Sequence, residues 1–218
     1  MIYILANGRS ERFGSNKLVA EVWGEPLIAR TCRLIQEFTD EPLVVLTDLD
    51  DVKAVVDCEV RPGYSGVVEA FVDLFSKTFD KVGRILFGDV LWSEPALKLL
   101  LSIVGYFKFG KWFQCQRVSE EFYATVWVPR LHREYFLTTY ERFARDWKTR
   151  PRTKGGAAYD DNSVLNRYLM GTEPWEVTVN RDNPRYMRAI LLDELFDDWT
   201  IDLDLPIDYD FFKREYEC

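Results

Sequence analysis

Residues 5 to 17, LANGRSERFGSNK, gather Arg9, Arg12, Lys17, Gly8, Gly14, Asn7 and Asn16 directly behind the apolar run Ile2 to Leu5. A connection of about ten residues is longer than an ordinary turn needs. Gly8 and Gly14 permit close backbone approach and positive φ, and Asn7 tolerates that region as well. Successive backbone N–H groups in such a loop form a nest for an anion. Arg12 adds a guanidinium able to grip phosphate through two parallel hydrogen bonds, and Lys17 adds a point charge. The chemistry this pattern suits is the cradling of a triphosphate, with a charged surface loop as the plainer reading. Neither GxxxxGK[ST] nor GxGxxG is present, so this is not a P-loop or a dinucleotide fingerprint.

A triphosphate is usually handled with Mg²⁺, held by carboxylates beside it. In RILFGDV, Asp89 stands just past an apolar strand, with Gly88 giving room for a metal and phosphates. The competing role for Asp89 is to cap the helix that opens near Glu94.

The elements that must position these groups alternate. IYIL (2–5), LVVLT (43–47), a brief stretch at Cys58 to Val60, and RILF (84–87) read as strands. Between them, 26–38, a short stretch near Asp51 to Val55, 67–79 and 94–107 read as helices, the first opened by Pro26. Such alternation predicts an open α/β fold with a mostly parallel sheet. In such sheets ligands collect at the carboxyl ends of the strands, where the opening loop lies. Beyond residue 106 the pattern is less regular. KWFQCQ and FYATVWV resemble antiparallel strands, and 133–147 a helix. The segment 150–162 reads as a loop, DDNSVLNRYLM as the start of a helix, and WTIDLD (199–204) as a strand before a last helix opened by Pro206.

The chain has 218 residues, 47% of them apolar, enough for one large domain. Its 28 Lys and Arg against 36 Asp and Glu leave a net charge of −8, which argues against general nucleic-acid binding. Cys32, Cys58, Cys115 and Cys218 are scattered without paired spacing, indicating neither a disulfide framework nor a zinc site. No apolar run reaches ~18 residues, so no membrane span is expected. No leader-like segment precedes the first strand, and a cytoplasmic location is expected.

The stretch 5–28 resembles the signature of MobA-like nucleotidyltransferases: LAGG or LAAG, then R-x-G, a lysine, and G-x-P-L/M-I. Leu5, Ala6, Gly8, Arg12, Gly14, Lys17, Gly24, Pro26, Leu27 and Ile28 fall in step, while Asn7 and Glu25 depart from it. The resemblance implies a three-layer α/β/α, Rossmann-like nucleotide-diphospho-sugar transferase fold in a single domain. Residues 1–105 would bind nucleotide, 106–198 would bind acceptor, and 199–218 would supply the closing strand and helix. It implies transfer of an NMP group from an NTP to a phosphorylated small acceptor, a sugar 1-phosphate first among them, with Mg²⁺ and release of pyrophosphate. Arg12 and Lys17 would be catalytic, and Leu5, Ala6, Asn7, Gly8 and Gly14 would line the nucleotide. Gly63, Ser65 and Gly66, in RPGYSG, would approach the base. GDV resembles the family's first metal motif, and DLDLPID its closing motif, so Asp89 and Asp204 would hold the metal, with Asp202 able to replace Asp204.

An acceptor phosphate is already ionised at neutral pH, so no general base is demanded and the lone His132 reads as structural or surface. The acceptor site would come from the irregular half, where Arg152 and Lys154 are candidate ligands; a solvated loop is the plainer reading of that segment. The resemblance leaves open a molybdopterin-type or different non-sugar acceptor, a GT-A glycosyltransferase, and a non-catalytic nucleotide-binding subunit. A glycosyltransferase would be expected to carry Asp-x-Asp mid-chain, where this chain has FGDV. A decayed site would be expected to have lost Arg12, Lys17 or Asp89. The assembly, including a homodimer, stays open.

Overall fold

The computed structural model describes residues 1–8, 14–64, 70, 73–74, 83–103, 107–113, 119–127, 188–191, 201–202 and 210. Arg12, Ser65, Gly66, Arg152, Lys154 and Asp204 lie outside the described residues, as do His132 and the segments 133–147 and 150–170. Contacts gather the chain into two compact units. One comprises 1–65, 84–103 and 192–218, and the other 66–83 and 104–191.

The first unit begins with β1 (Ile2–Leu5). A 3₁₀ turn, Lys17–Val19, leads into a hairpin of β2 (Glu21–Val22) and β3 (Glu25–Pro26). Its two central residues, Trp23 at φ 50° and Gly24 at φ 82°, both take positive φ, as a two-residue type I′ turn requires. Helix α1 (Leu27–Phe38) follows, with Pro26 at its N-cap. Next come β4 (Leu43–Leu46), α2 (Asp50–Lys53), β5 (Glu59–Arg61), β6 (Gly83–Phe87), β7 (Val90–Leu91) and α3 (Glu94–Ser102).

β1 pairs in parallel with β4 on one side and β6 on the other, and β4 pairs in parallel with β5. Adjacent residues on these strands (Ile2, Tyr3 and Ile4; Leu43 to Leu46; Ile85 and Leu86) are all buried, although their side chains point to opposite faces. Continuous burial of this kind means that the parallel sheet is covered on both sides. α1 supplies one cover, burying Leu27, Ile28, Leu34 and Ile35 at helical spacing. The expected parallel α/β fold is therefore present.

The helix expected over 94–107 ends at Ser102, and the reason lies on β6. Arg84 is buried, and its guanidinium donates to the carbonyls of Leu100, Leu101 and Ile103 at 3.1, 2.6 and 3.2 Å. These are last-turn acceptors that no further helical turn would satisfy. The same guanidinium meets Glu41 at 2.5 Å, and Glu41 also accepts from the Met1 ammonium at 2.6 Å. The amino ends of β1, β4 and β6 are thus tied into one charged network. At the other end of α3, Ser93 caps the helix by accepting from the Ala96 N–H.

In the second unit β8 (Phe107–Phe113) and β9 (Ser119–Trp127) form the antiparallel pair expected there. β8 starts earlier than the reading of KWFQCQ, and its register with β9 shifts between Phe109 and Gly110. β10 (Arg188–Leu191), not anticipated from the sequence, pairs in parallel with β8. Back in the first unit, β11 (Ile201–Asp202) lies within the expected closing strand and pairs antiparallel with β7. Among the described residues, no helix is long and apolar enough to cross a membrane.

Candidate active site

The carboxyl ends of β1, β4, β5 and β6 converge on a polar edge of the first unit. Lys17 reaches it from the 3₁₀ turn. Asn16 caps that turn, its Oδ1 accepting from the Leu18 N–H at 3.1 Å, while its amide donates to Asp51 at 2.8 Å. Lys17 is buried, with 8% of its side chain exposed, and its Nζ lies 2.8 Å from Oδ2 of Asp89, which is 27% exposed. A lysine held this far out of water requires an opposite charge. Asp89 supplies it and retains an open side toward solvent.

Gly88 sets Asp89 in place. Its N–H donates to the Leu5 carbonyl at 2.9 Å, fastening the turn after β6 to the end of β1. A Cβ at this position would stand 3.0 Å from Leu5 O and 3.1 Å from the side chains of Leu18 and Ile28. Gly88 was expected to leave room for a metal and phosphates. The structure gives a nearer reason: the space is filled by the residues that carry the opening loop.

Asn7 fastens the other strand ends. Its Oδ1 accepts from the Asp48 N–H at 2.9 Å, and its Nδ2 donates to Asp48 Oδ2 at 3.3 Å and to the Tyr64 carbonyl at 3.2 Å. Asp48 Oδ1 in turn accepts from the Gly63 N–H at 3.1 Å. A Cβ on Gly63 would fall 2.5 Å from Asn7 Cγ, so a side chain at 7 and a glycine at 63 go together. Asp48 escaped the sequence reading; its signal is an acid directly behind the buried strand LVVLT.

The structure thus brings Leu5, Ala6, Asn7, Gly63, Lys17 and Asp89 to one edge. Gly14 takes positive φ (79°) as expected. Gly8 and Asn7 do not enter the left-handed region, and among the described residues nothing lies within 4 Å of a Cβ placed on Gly8, as is also true of Gly14. Asp202 pairs in register with Val90, which places its backbone beside the turn that carries Asp89. Glu25, which departs from the signature, forms a two-pronged pair with Arg33 at 2.7 and 3.1 Å and so serves α1.

Magnesium takes oxygen donors, commonly one or two carboxylates completed by phosphates and water. Asp89, whose Oδ2 meets Lys17 and whose side chain is 27% exposed, offers one such carboxylate. Among the described residues, no three His, Cys, Asp or Glu side chains form a cluster able to hold a metal by themselves.

A parallel sheet covered by helices, with its polar loops at the carboxyl edge, is a Rossmann-like α/β arrangement, and the solved structures that superpose on it have the nucleotide-diphospho-sugar transferase fold. Residues 2–70 match the family profile of the MobA-like NTP transferase domain, in agreement with the resemblance read from the opening loop. A probable molybdenum cofactor guanylyltransferase of Chloroflexus aggregans is 31% identical over 105 residues, which cover 45% of this chain and 50% of that protein. The chain thus spans about half the length of this curated relative. Two solved structures share the fold. The CTP:phosphocholine cytidylyltransferase of Streptococcus pneumoniae superposes with a TM-score of 0.58 at 12% identity, over 98% of this chain and 97% of that one. A putative glucose-1-phosphate thymidylyltransferase of Bacillus anthracis does so with a TM-score of 0.57 at 13% identity, over 96% and 92%.

Proposed function

We propose that the chain is a nucleotidyltransferase that moves an NMP group from an NTP to a phosphorylated small acceptor, a sugar 1-phosphate, and releases pyrophosphate. The observation that carries this reading is the buried Lys17 held 2.8 Å from Asp89 where β1 and β6 end. The fold collects ligands at that edge, and the loop behind β1 carries the family pattern.

The acceptor's phosphate oxygen attacks the α-phosphorus in line, its bond to phosphorus forms, and the bond to the β-phosphate oxygen breaks. The protein's task is to bring two anions together and hold the leaving charge. Lys17 bridges phosphates near the reacting centre, and Arg12 takes the departing pyrophosphate. Asp89 with Asp202 or Asp204 would hold Mg²⁺, which would supply further positive charge to the phosphates. Asn7, Asp48 and Gly63 fix the loops after β1, β4 and β5 against which the nucleoside lies. Arg152 and Lys154 are the proposed acceptor ligands.

A second reading, a molybdopterin-type acceptor, is favoured by the Chloroflexus relative. Pyrophosphate release from each of the four NTPs with Mg²⁺, against sugar 1-phosphates, phosphocholine and molybdopterin, tests both. Release that requires one NTP and a sugar 1-phosphate is expected. Release with GTP and molybdopterin alone would replace the first reading by the second. No release across the panel, together with no NTP binding by calorimetry, would end both.

A further inference from the structure

Cys32 and Cys58 are far apart in sequence, yet their sulfurs lie 3.9 Å from each other. Cys32 is buried on the inner face of α1, and Cys58 is half-buried immediately before β5. Both are free thiols. We propose that these two cysteines are a redox-active dithiol, closed to an intramolecular disulfide by a peroxide. The proposal is independent of the nucleotidyltransferase reading.

Geometry and exposure divide the roles. Cys58 has the solvent-facing side, so an oxidant reaches it first. The hydrogen-bonded contact with Cys32 holds the Cys58 thiol below its ordinary pKa despite partial burial and the nearby acids Asp57 and Glu59. Cys32 is pushed the other way by the same contact and by its burial. Cys58 is therefore the attacking sulfur and Cys32 the resolving one. The Cys58 thiolate attacks one peroxide oxygen, the O–O bond breaks, and the departing hydroxide is protonated to water. Cys32 then gives up its proton and attacks the resulting sulfenic sulfur; the S–O bond breaks and a second water leaves. The two sulfurs together lose two electrons and the peroxide gains them. Contraction from 3.9 Å to the ~2.0 Å of a disulfide asks for a side-chain rotation and a small shift of α1 against the start of β5.

The consequence is a cross-link between α1 and β5 whose closed span contains β4, Asp48 and α2. That span holds Asp48, which bonds Asn7, and Asp51, which bonds Asn16. Oxidation therefore fastens the segment on which the site's loops are hung, and thermal stability rises.

The test treats the full chain, carrying Cys115→Ser and Cys218→Ser, with hydrogen peroxide near stoichiometry. Free thiols are counted after denaturation, peptides are mapped by mass spectrometry, and melting is followed with and without dithiothreitol. The expected result is loss of both thiols, a linked Cys32–Cys58 peptide, a higher Tm, and full reversal by dithiothreitol. In the Cys32→Ala protein, Cys58 should be trapped by dimedone as the sulfenic acid. Should Cys32→Ala fail to fold, the Cys58→Ser protein, altered at the half-exposed position, should retain its Cys32 thiol under the same treatment. Oxidation of Cys58 to sulfinic acid with Cys32 still free, linkage between chains instead of within one, or no loss of thiols would each overturn the proposal.

Discussion

The two edges of the parallel sheet in the first unit carry charge in opposite ways. At the amino edge, Arg84 spends its donors on three carbonyls and Glu41, and Glu41 also takes the Met1 ammonium. That network terminates α3 and joins β1, β4 and β6. At the carboxyl edge, Lys17 is nearly as buried as Arg84, and Asp89 is about as exposed as Glu41, 27% against 33%. One edge closes its charges among fixed protein groups, as a structural network does. At the other, Asp89 meets one cation among the described residues where Glu41 meets two, and no described residue lies within 4 Å of a Cβ placed on Gly8 in the loop behind β1. Burial and exposure alone do not separate the two edges; the number of cations that meet each carboxylate does.

The strongest way to break the comparison is Lys17→Met. It keeps the length and packing of the side chain but removes the charge beside Asp89. Turnover should fall by about 100- to 1,000-fold, the usual cost of one transition-state electrostatic contact. Thermal unfolding should move little, because Asp89 is left with access to water.

Gly88→Ala attacks the same edge through packing. The new Cβ meets a backbone carbonyl and two buried side chains at 3.0–3.1 Å, so the turn carrying Asp89 must shift. Overpacking of this kind costs ~1–3 kcal/mol. Denaturant unfolding should register that loss, and pyrophosphate release should fall with it.

Glu41→Gln acts on the opposite edge. It removes a charged hydrogen-bond partner of Arg84 and should cost ~2 kcal/mol of stability while leaving turnover per folded molecule unchanged. Partial burial raises the Glu41 pKa, but the Met1 ammonium and Arg84 outweigh it and hold the group below its ordinary value of 4.5. A depressed carboxylate pKa stabilises the fold at pH above the unfolded value, and that contribution is lost as the pH falls through the folded one. Wild-type stability should accordingly drop more steeply below about pH 4.5 than that of Glu41→Gln, as denaturant titrations across that range would read.

Asn7→Ala sharpens the comparison at smaller scale. It releases Asp48 and Tyr64 without touching Lys17 or Asp89, at about 1 kcal/mol, or roughly a fivefold rise in KM for the NTP with kcat held. Steady-state kinetics separates the two parameters, and Asn7→Asp, which keeps the bond from the Asp48 N–H but sets a carboxylate oxygen against Asp48 Oδ2 and the Tyr64 carbonyl, should lose more than Asn7→Ala.

The sequence disclosed the first unit better than the second for a physical reason. Parallel strands buried on both faces leave continuous apolar runs such as IYIL and LVVLT, and the helices between them show regular spacing. The antiparallel pair β8–β9 was legible as a pair, but its start, its register shift and the added strand β10 depend on partners distant in sequence. Lys17 and Asp89 were legible because a loop behind a strand and an acid behind a strand are local patterns. Asp48 and the Cys32–Cys58 pair were not, since each has its meaning only from a residue that the fold brings in. The stop of α3 at Ser102 likewise follows from Arg84 on another element.

One paired measurement tests the central claim, that the carboxyl edge handles phosphate and the amino edge holds the fold. Pyrophosphate release and thermal unfolding would be followed together in the wild type, Lys17→Met and Glu41→Gln, with the NTP and acceptor found in the substrate panel. The account predicts that Lys17→Met loses turnover at an almost unchanged Tm, and that Glu41→Gln loses Tm at unchanged turnover. Full turnover in Lys17→Met would contradict it, because the buried lysine beside Asp89 would then be only another structural ion pair.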